Sequence, residues 1–114
     1  MDISITRGDV VWVNLPPLPD SCVKHGMRPA VVIQNDIGNE HSTTTIIVPV
    51  TTTIKKLGMP THVLFKADFF YRESMAQCEQ LITIDKSQIV SVAGHLPKSV
   101  MQAIDLGIIR SVLS

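Results

Sequence analysis

Thr43-Thr44-Thr45-Ile46-Ile47-Val48-Pro49-Val50-Thr51-Thr52-Thr53 is β-branched at every position except Pro49. Two heavy substituents on Cβ restrict χ1 and favour a pleated, half-buried surface over a helix, so a strand is expected over Thr44 to Val50. Working outward, shorter β-rich runs separated by turn residues predict further strands at Asp9 to Leu15, Pro29 to Gln34, His62 to Leu64, Ser74 to Thr83 and Gln88 to Val92. The breaks are as informative as the runs. Leu15-Pro16-Pro17-Leu18-Pro19-Asp20-Ser21 lacks three backbone donors and reads as a loop, and Asn35-Asp36-Ile37-Gly38-Asn39 is a cluster of turn formers. Helical spacing appears only near the end: after Pro97, the residues Val100, Met101, Ile104, Ile108 and Val112 form an apolar stripe, with Leu106, Ile109 and Leu113 outside it. That excess of apolar surface suits either a subunit interface or an overpacked small core. The expected fold is mainly β with a C-terminal α-helix, a small barrel, with residues 1–114 as one domain.

Composition narrows the partners. A chain of 114 residues with 45% hydrophobic content fits one compact domain. Lys+Arg 10 balance Asp+Glu 10, so no global field draws the protein to a polyanion, and any such site must be local. Cys22 and Cys78 form no metal- or redox-type pair, and the start Met1-Asp2-Ile3-Ser4 does not read as a signal peptide, so a soluble protein of the reducing cytoplasm is expected. No apolar run approaches the roughly 20 residues needed to cross a bilayer, so no membrane partner is expected.

The residues that carry chemistry begin at Gly26-Met27-Arg28-Pro29. Pro29 disfavours the helical region for Arg28, so its guanidinium projects from an extended segment. A surface ion pair is the plain alternative, but a permanently charged, planar fork of donors suits a phosphate. The histidines His25, His41, His62 and His95 lie in no zinc-ligand spacing, and neither a metal nor another cofactor is expected. His25, three residues before Arg28, titrates near neutrality. It is a candidate acid/base group, a phosphate contact, or an exposed loop residue. His62 reads as a cross-strand packing residue, and Trp12, the chain's largest ring, as a core anchor more than a stacking platform.

Taken in order, Arg7-Gly8-Asp9-Val10, Gly26-Met27-Arg28-Pro29, Val32-Ile33-Gln34-Asn35-Asp36-Ile37-Gly38-Asn39, Val48-Pro49-Val50-Thr51, Pro60-Thr61-His62-Val63 and Glu79-Gln80-Leu81-Ile82-Thr83-Ile84-Asp85-Lys86 resemble the blocks of MazF/PemK-type endoribonuclease toxins. The resemblance implies an SH3-like barrel. It also implies a homodimer, a cognate antitoxin protein as partner, and metal-independent, sequence-selective cleavage of single-stranded RNA. Arg28 and Thr51 then correspond to the family's principal catalytic pair. The chemistry expected of such toxins is attack of a ribose 2′-hydroxyl on the adjacent phosphorus, leaving a 2′,3′-cyclic phosphate and a 5′-hydroxyl. Its main demand is for fixed donors on the non-bridging oxygens, where one lost donor costs about 3 kcal/mol in comparable oxyanion sites.

Two departures from the commoner family pattern bear on specificity: Val23-Lys24 stand where acidic and amide residues are frequent, and Ile82 where an arginine is common. Lys24 and the pair Lys55-Lys56 are candidates to grip RNA phosphates. Asn35, Glu79 and Gln80 offer donors and acceptors for unstacked bases. The competing class is a non-enzymatic, CcdB-like toxin that binds DNA gyrase on the same kind of barrel. A peptide-binding SH3-like module is disfavoured, because only 4% of residues are aromatic.

Overall fold

The structure is a computed structural model that describes residues 4–15, 26–54 and 59–113. In chain order the elements are β1 (Asp9–Leu15), β2 (Gly26–Val32), α1 (Asp36–His41), β3 (Thr44–Thr51), β4 (His62–Phe65), β5 (Ser74–Gln77), β6 (Ile82–Asp85), β7 (Ile89–His95) and α2 (Lys98–Val112). All strand pairs are antiparallel and run in the order β4-β5-β3-β2-β1-β7, with β6 also pairing β3. The fold is mainly β with a C-terminal helix, as expected, and among the described residues the sheet does not close into a ring.

The β-branched stretch that decides the fold is its central strand. Thr44 to Ile47 pair with β6, Val50 and Thr51 pair with β5, and the opposite edge pairs with β2. Pro49, fully buried, sits where β3 passes from one outer partner to the other. A proline is tolerated inside a sheet at such a break in the ladder. Alternation along the strands then fills two cores. Val10, Val31, Val48 and Val50 point to one face and pack with Leu96, Met101 and Ile104 at and after the end of β7. Val11, Val13, Ala30, Val32 and Ile47 point to the other face, with Ile84 and Ile89.

The helix α2 buries Met101, Ile104 and Gly107 and leaves Leu106, Ile109, Val112 and Leu113 exposed. Gly107 is there for proximity. A Cβ on it would meet Cys78 Sγ at 2.8 Å and Val63 Cγ2 at 3.2 Å. Helix propensity alone favours alanine by about 1 kcal/mol. Overpacking against a buried turn typically costs about 1–3 kcal/mol. Gly107→Ala is therefore expected to lower the thermal midpoint, and the loss should shrink in a Cys78→Ala background. A midpoint raised by Gly107→Ala alone would refute the close contact. Burial also pushes the Cys78 thiol up to about 12, so it stays protonated and inert.

Three sequence expectations need correction. The run Ser74 to Thr83 is not one strand: a 3-10 turn at Cys78–Gln80 divides β5 from β6. The cluster Asn35 to Asn39 is the start of a short helix, with the Asn35 side chain accepting the Gly38 N–H at 2.8 Å as its N-cap. Trp12 is only partly buried, because it lies where β1 meets a cleft.

The polar blocks around α1 turn out to be structural. Arg7 donates its backbone N–H to Asp36 at 2.7 Å and its Nε to the Ile33 carbonyl at 3.0 Å, and it pairs with Asp105 on α2. The Arg7 backbone donor, then the Asn39 amide, hold the Asp36 carboxyl below the usual carboxylate range. Buried Asn39 accepts from the Thr45 hydroxyl at 2.7 Å and donates to the Gln34 carbonyl at 2.9 Å. Gly8, at φ 98°, lets the chain pass against the His95 ring, which is bonded to Asp9 at 2.8 Å.

Candidate functional site

A cleft of about 730 Å³ opens at the end of the sheet where β1, β2, β3 and β5 stop being covered. Arg28 and Thr51 both line it. Their meeting follows from register. Val32, Val31 and Ala30 pair with Ile47, Val48 and Pro49, and continuing that count by two residues sets Arg28 opposite Thr51. The positions lie 23 apart in the chain and come together because the intervening segment returns β3 alongside β2.

Each of the two side chains keeps donor capacity toward the cleft. Arg28 is half-buried, and its Nε is buried without a hydrogen-bond partner. Among the described residues its guanidinium forms no ion pair. Leaving such a donor unpaired costs roughly 1–3 kcal/mol, more for a charged group, which a bound anion would offset. Thr51 is 6% exposed, and its Oγ1 accepts the Thr53 N–H at 3.1 Å. That bond uses a lone pair and fixes the oxygen, leaving the hydroxyl proton to be donated.

The opposite wall is polar and rich in acceptors. Glu79 and Gln80 occupy the 3-10 turn after β5, and both line the cleft, as does Gln77 at the end of that strand. Gln77 Oε1 and Gln80 Oε1 are buried without partners, as is the hydroxyl of Thr61. Thus, among the described residues, all four such atoms belong to residues of this cleft or to the immediate neighbour of one, a concentration that marks a ligand site. His62 stands directly opposite Gln77, with its side chain only 7% exposed and its Nε2 3.0 Å from Glu79 Oε2. A third wall is apolar. Trp12 meets Phe70 edge-on, with ring centroids 6.4 Å apart at 88°, and Met27 and Met59 stand exposed at the rim.

Of the residues singled out from sequence, the structure thus brings together Arg28, Thr51, Glu79 and Gln80. Asn35 is not among the lining residues, and its side chain is committed to the helix cap. Lys24, His25, Lys55 and Lys56 lie outside the described residues. Sequence reasoning read His62 only as a packing residue and assigned no site role to Gln77 or Phe70. The available signal was the strand period, which puts His62 on one face of β4, but which face looks into the cleft depends on pairing with β5. Among the described residues no group of three or more His, Cys, Asp or Glu could hold a metal ion, and no helix is long and apolar enough to cross a membrane.

Residues 6–112 match the model of the PemK-like, MazF-like toxin family of type II toxin-antitoxin systems, and the chain belongs to that family. It is 41% identical over 103 residues to endoribonuclease EndoA of Bacillus subtilis (strain 168), covering 89% of this chain and 88% of that protein. Among solved structures, MazF (Form-I) from Deinococcus radiodurans superimposes with a TM-score of 0.80 at 21% identity, covering 96% of each chain. An endoribonuclease in complex with its cognate antitoxin from a Mycobacterial species gives a TM-score of 0.76 at 19% identity, covering 95% of this chain and 94% of that one. At those identities the structural matches establish the fold.

Proposed function

We propose that this chain is a metal-independent, sequence-specific endoribonuclease acting on single-stranded RNA, the toxin half of a cytoplasmic toxin-antitoxin pair. The observation that carries the reading is the unpartnered donor of Arg28 in the same cleft as Thr51. The substrate supplies the nucleophile. Its 2′-oxygen loses a proton and bonds to the adjacent phosphorus, and the bond from phosphorus to the 5′-oxygen breaks. The departing oxygen takes a proton, giving a 2′,3′-cyclic phosphate and a 5′-hydroxyl. Charge grows on the non-bridging oxygens through this sequence, and Arg28 and Thr51 donate to them. Arginine is too basic to serve as a general base, so stabilisation rather than proton relay is its role.

Glu79 and Gln80 contact bases, and Lys24, Lys55 and Lys56 contact backbone phosphates, with His25, three residues before Arg28 in the sequence, the candidate proton carrier. The exposed apolar residues of α2 support a homodimer, and the named complexes of similar folds with antitoxins support a cognate antitoxin partner here. One domain over residues 1–114 accounts for all of it.

Purified protein incubated with a long, weakly structured RNA in excess chelator is expected to give discrete cuts bearing 5′-hydroxyl and cyclic-phosphate ends. Intact RNA with folded protein, together with capture of DNA gyrase, would replace this reading with a non-enzymatic toxin.

A further inference from the structure

The cleft's two sides differ in hydrogen-bonding character. The strand-end side presents donors, at Arg28 and Thr51. The side built from β4, β5 and the turn after it presents oxygen atoms: the Glu79 carboxylate and the buried, unpartnered amide oxygens of Gln77 and Gln80. A phosphate is repelled by such a wall. A nucleobase that offers N–H groups is attracted by it, and single-stranded RNA is read by side chains on such base edges. Of the four bases, adenine, cytosine and guanine carry an exocyclic amino group, while uracil carries none.

Glu79 alone could not define such a subsite, since a carboxylate on a short turn has rotameric freedom. His62 removes it. The imidazole is almost wholly enclosed, and its Nε2 lies within hydrogen-bond distance of Glu79 Oε2 at 3.0 Å. With Nε2 as the donor, one carboxylate oxygen is spent on His62 and the other is left to accept from a ligand. The β4 to β5 register places His62 across from Gln77, and both line the same cleft as Glu79 and Gln80.

We infer that His62 is a specificity-determining positioning residue, which fixes Glu79 so that it, Gln77 and Gln80 form an acceptor-lined subsite for one amino-bearing nucleobase of the RNA. The inference rests on the ribonuclease reading above. It predicts that one position of the cleaved motif excludes uracil, and that the exocyclic amino group at that position is what is read. The Glu79 side chain is 31% exposed, whereas the oxygens of Gln77 and Gln80 are buried, and a base without the amino group leaves those buried acceptors unpaired, so discrimination is correspondingly large.

The test uses synthetic RNAs containing the cleaved motif. At each amino-bearing position the base is replaced by its analogue lacking the amino group: purine riboside for adenosine, zebularine for cytidine, inosine for guanosine. For the wild-type protein, one such replacement is expected to lower kcat/KM by 10-fold or more. In Glu79→Gln and in His62→Leu the discrimination should fall to within about threefold, while His62→Gln, which keeps a donor toward Glu79, should restore much of it. Melting curves and cleavage of the unmodified RNA identify variants that fail to fold. Discrimination unchanged in folded His62→Leu would overturn the role of His62, and no amino-sensitive position in the wild type would overturn the subsite. If the wild type cleaves no RNA at all, the ribonuclease reading falls first and takes this inference with it.

Discussion

Arg28→Ala is expected to lower kcat/KM on a cleaved RNA by about 10²–10³-fold, equivalent to roughly 3–4 kcal/mol of transition-state stabilisation. The same change should leave the thermal midpoint unchanged or slightly higher. Both expectations come from one atom, since Arg28 Nε is buried yet meets no acceptor in the folded protein. An unpaired buried donor lowers stability, and removing it relieves that cost. Keeping such a group is understandable when its partner arrives with the substrate, and active sites commonly trade stability for function in this way. Arg28→Lys separates charge from geometry. Lysine presents a point charge where arginine presents a planar fork, so the lysine variant should recover less than a tenth of the activity. Single-turnover cleavage beside melting curves reads both effects. An alanine variant that is as active as the wild type, or one that is inactive only because it melts early, would remove Arg28 from the chemistry.

Much of this was legible in the sequence, and where it was not the reasons are physical. The strand Asp9–Leu15 is bounded by turn formers and has one unbroken β-rich run, so its limits could be read from local propensity. The helix after Pro97 announces itself by spacing. Ser74 to Thr83 misleads because no glycine, proline or asparagine marks a break at Gln77-Cys78-Glu79-Gln80, although the backbone at Cys78–Gln80 closes a 3-10 turn. Side-chain period does not report hydrogen bonding. Asn35 misleads in the opposite way: an amide in a polar turn suits a base as well as a helix cap, and only the structure shows the Gly38 N–H on its oxygen. Within the cleft, Arg28 stood out by its Arg-Pro context and Thr51 through the resemblance of its block. That both line one cleft is a non-local fact of how the strands pair. His62 packs across to β5 as expected, while Trp12 was misjudged because strand alternation says which residues share a face, and not whether that face meets another layer or an opening.

Thr51 offers the sharper dissection, because its two hydrogen-bonding functions can be taken apart. Its oxygen accepts from Thr53, and its proton is free for substrate. Thr51→Val retains the shape of a nearly buried side chain while removing the hydroxyl. Activity should fall by about 10²-fold, in kcat more than in KM, since a donor to the non-bridging oxygens matters most as charge develops. Stability should fall by at most about 1 kcal/mol, because the Thr53 N–H loses its acceptor at an exposed position where water can replace it. Thr51→Ser reverses the pattern. It keeps the oxygen and the proton but deletes a buried methyl group, worth roughly 0.8 kcal/mol or more once a small void is counted. The serine variant should therefore be close to wild type in rate despite its loss of stability, whereas the valine variant should lose about 10²-fold in rate for a similar or smaller loss of stability. Two substitutions at one position with similar effects on stability and very different effects on rate distinguish a catalytic donor from a structural threonine. If the valine variant cleaves RNA at the wild-type rate, the hydroxyl serves only the turn at Thr53, and Arg28 must stabilise the phosphoryl oxygens with other donors.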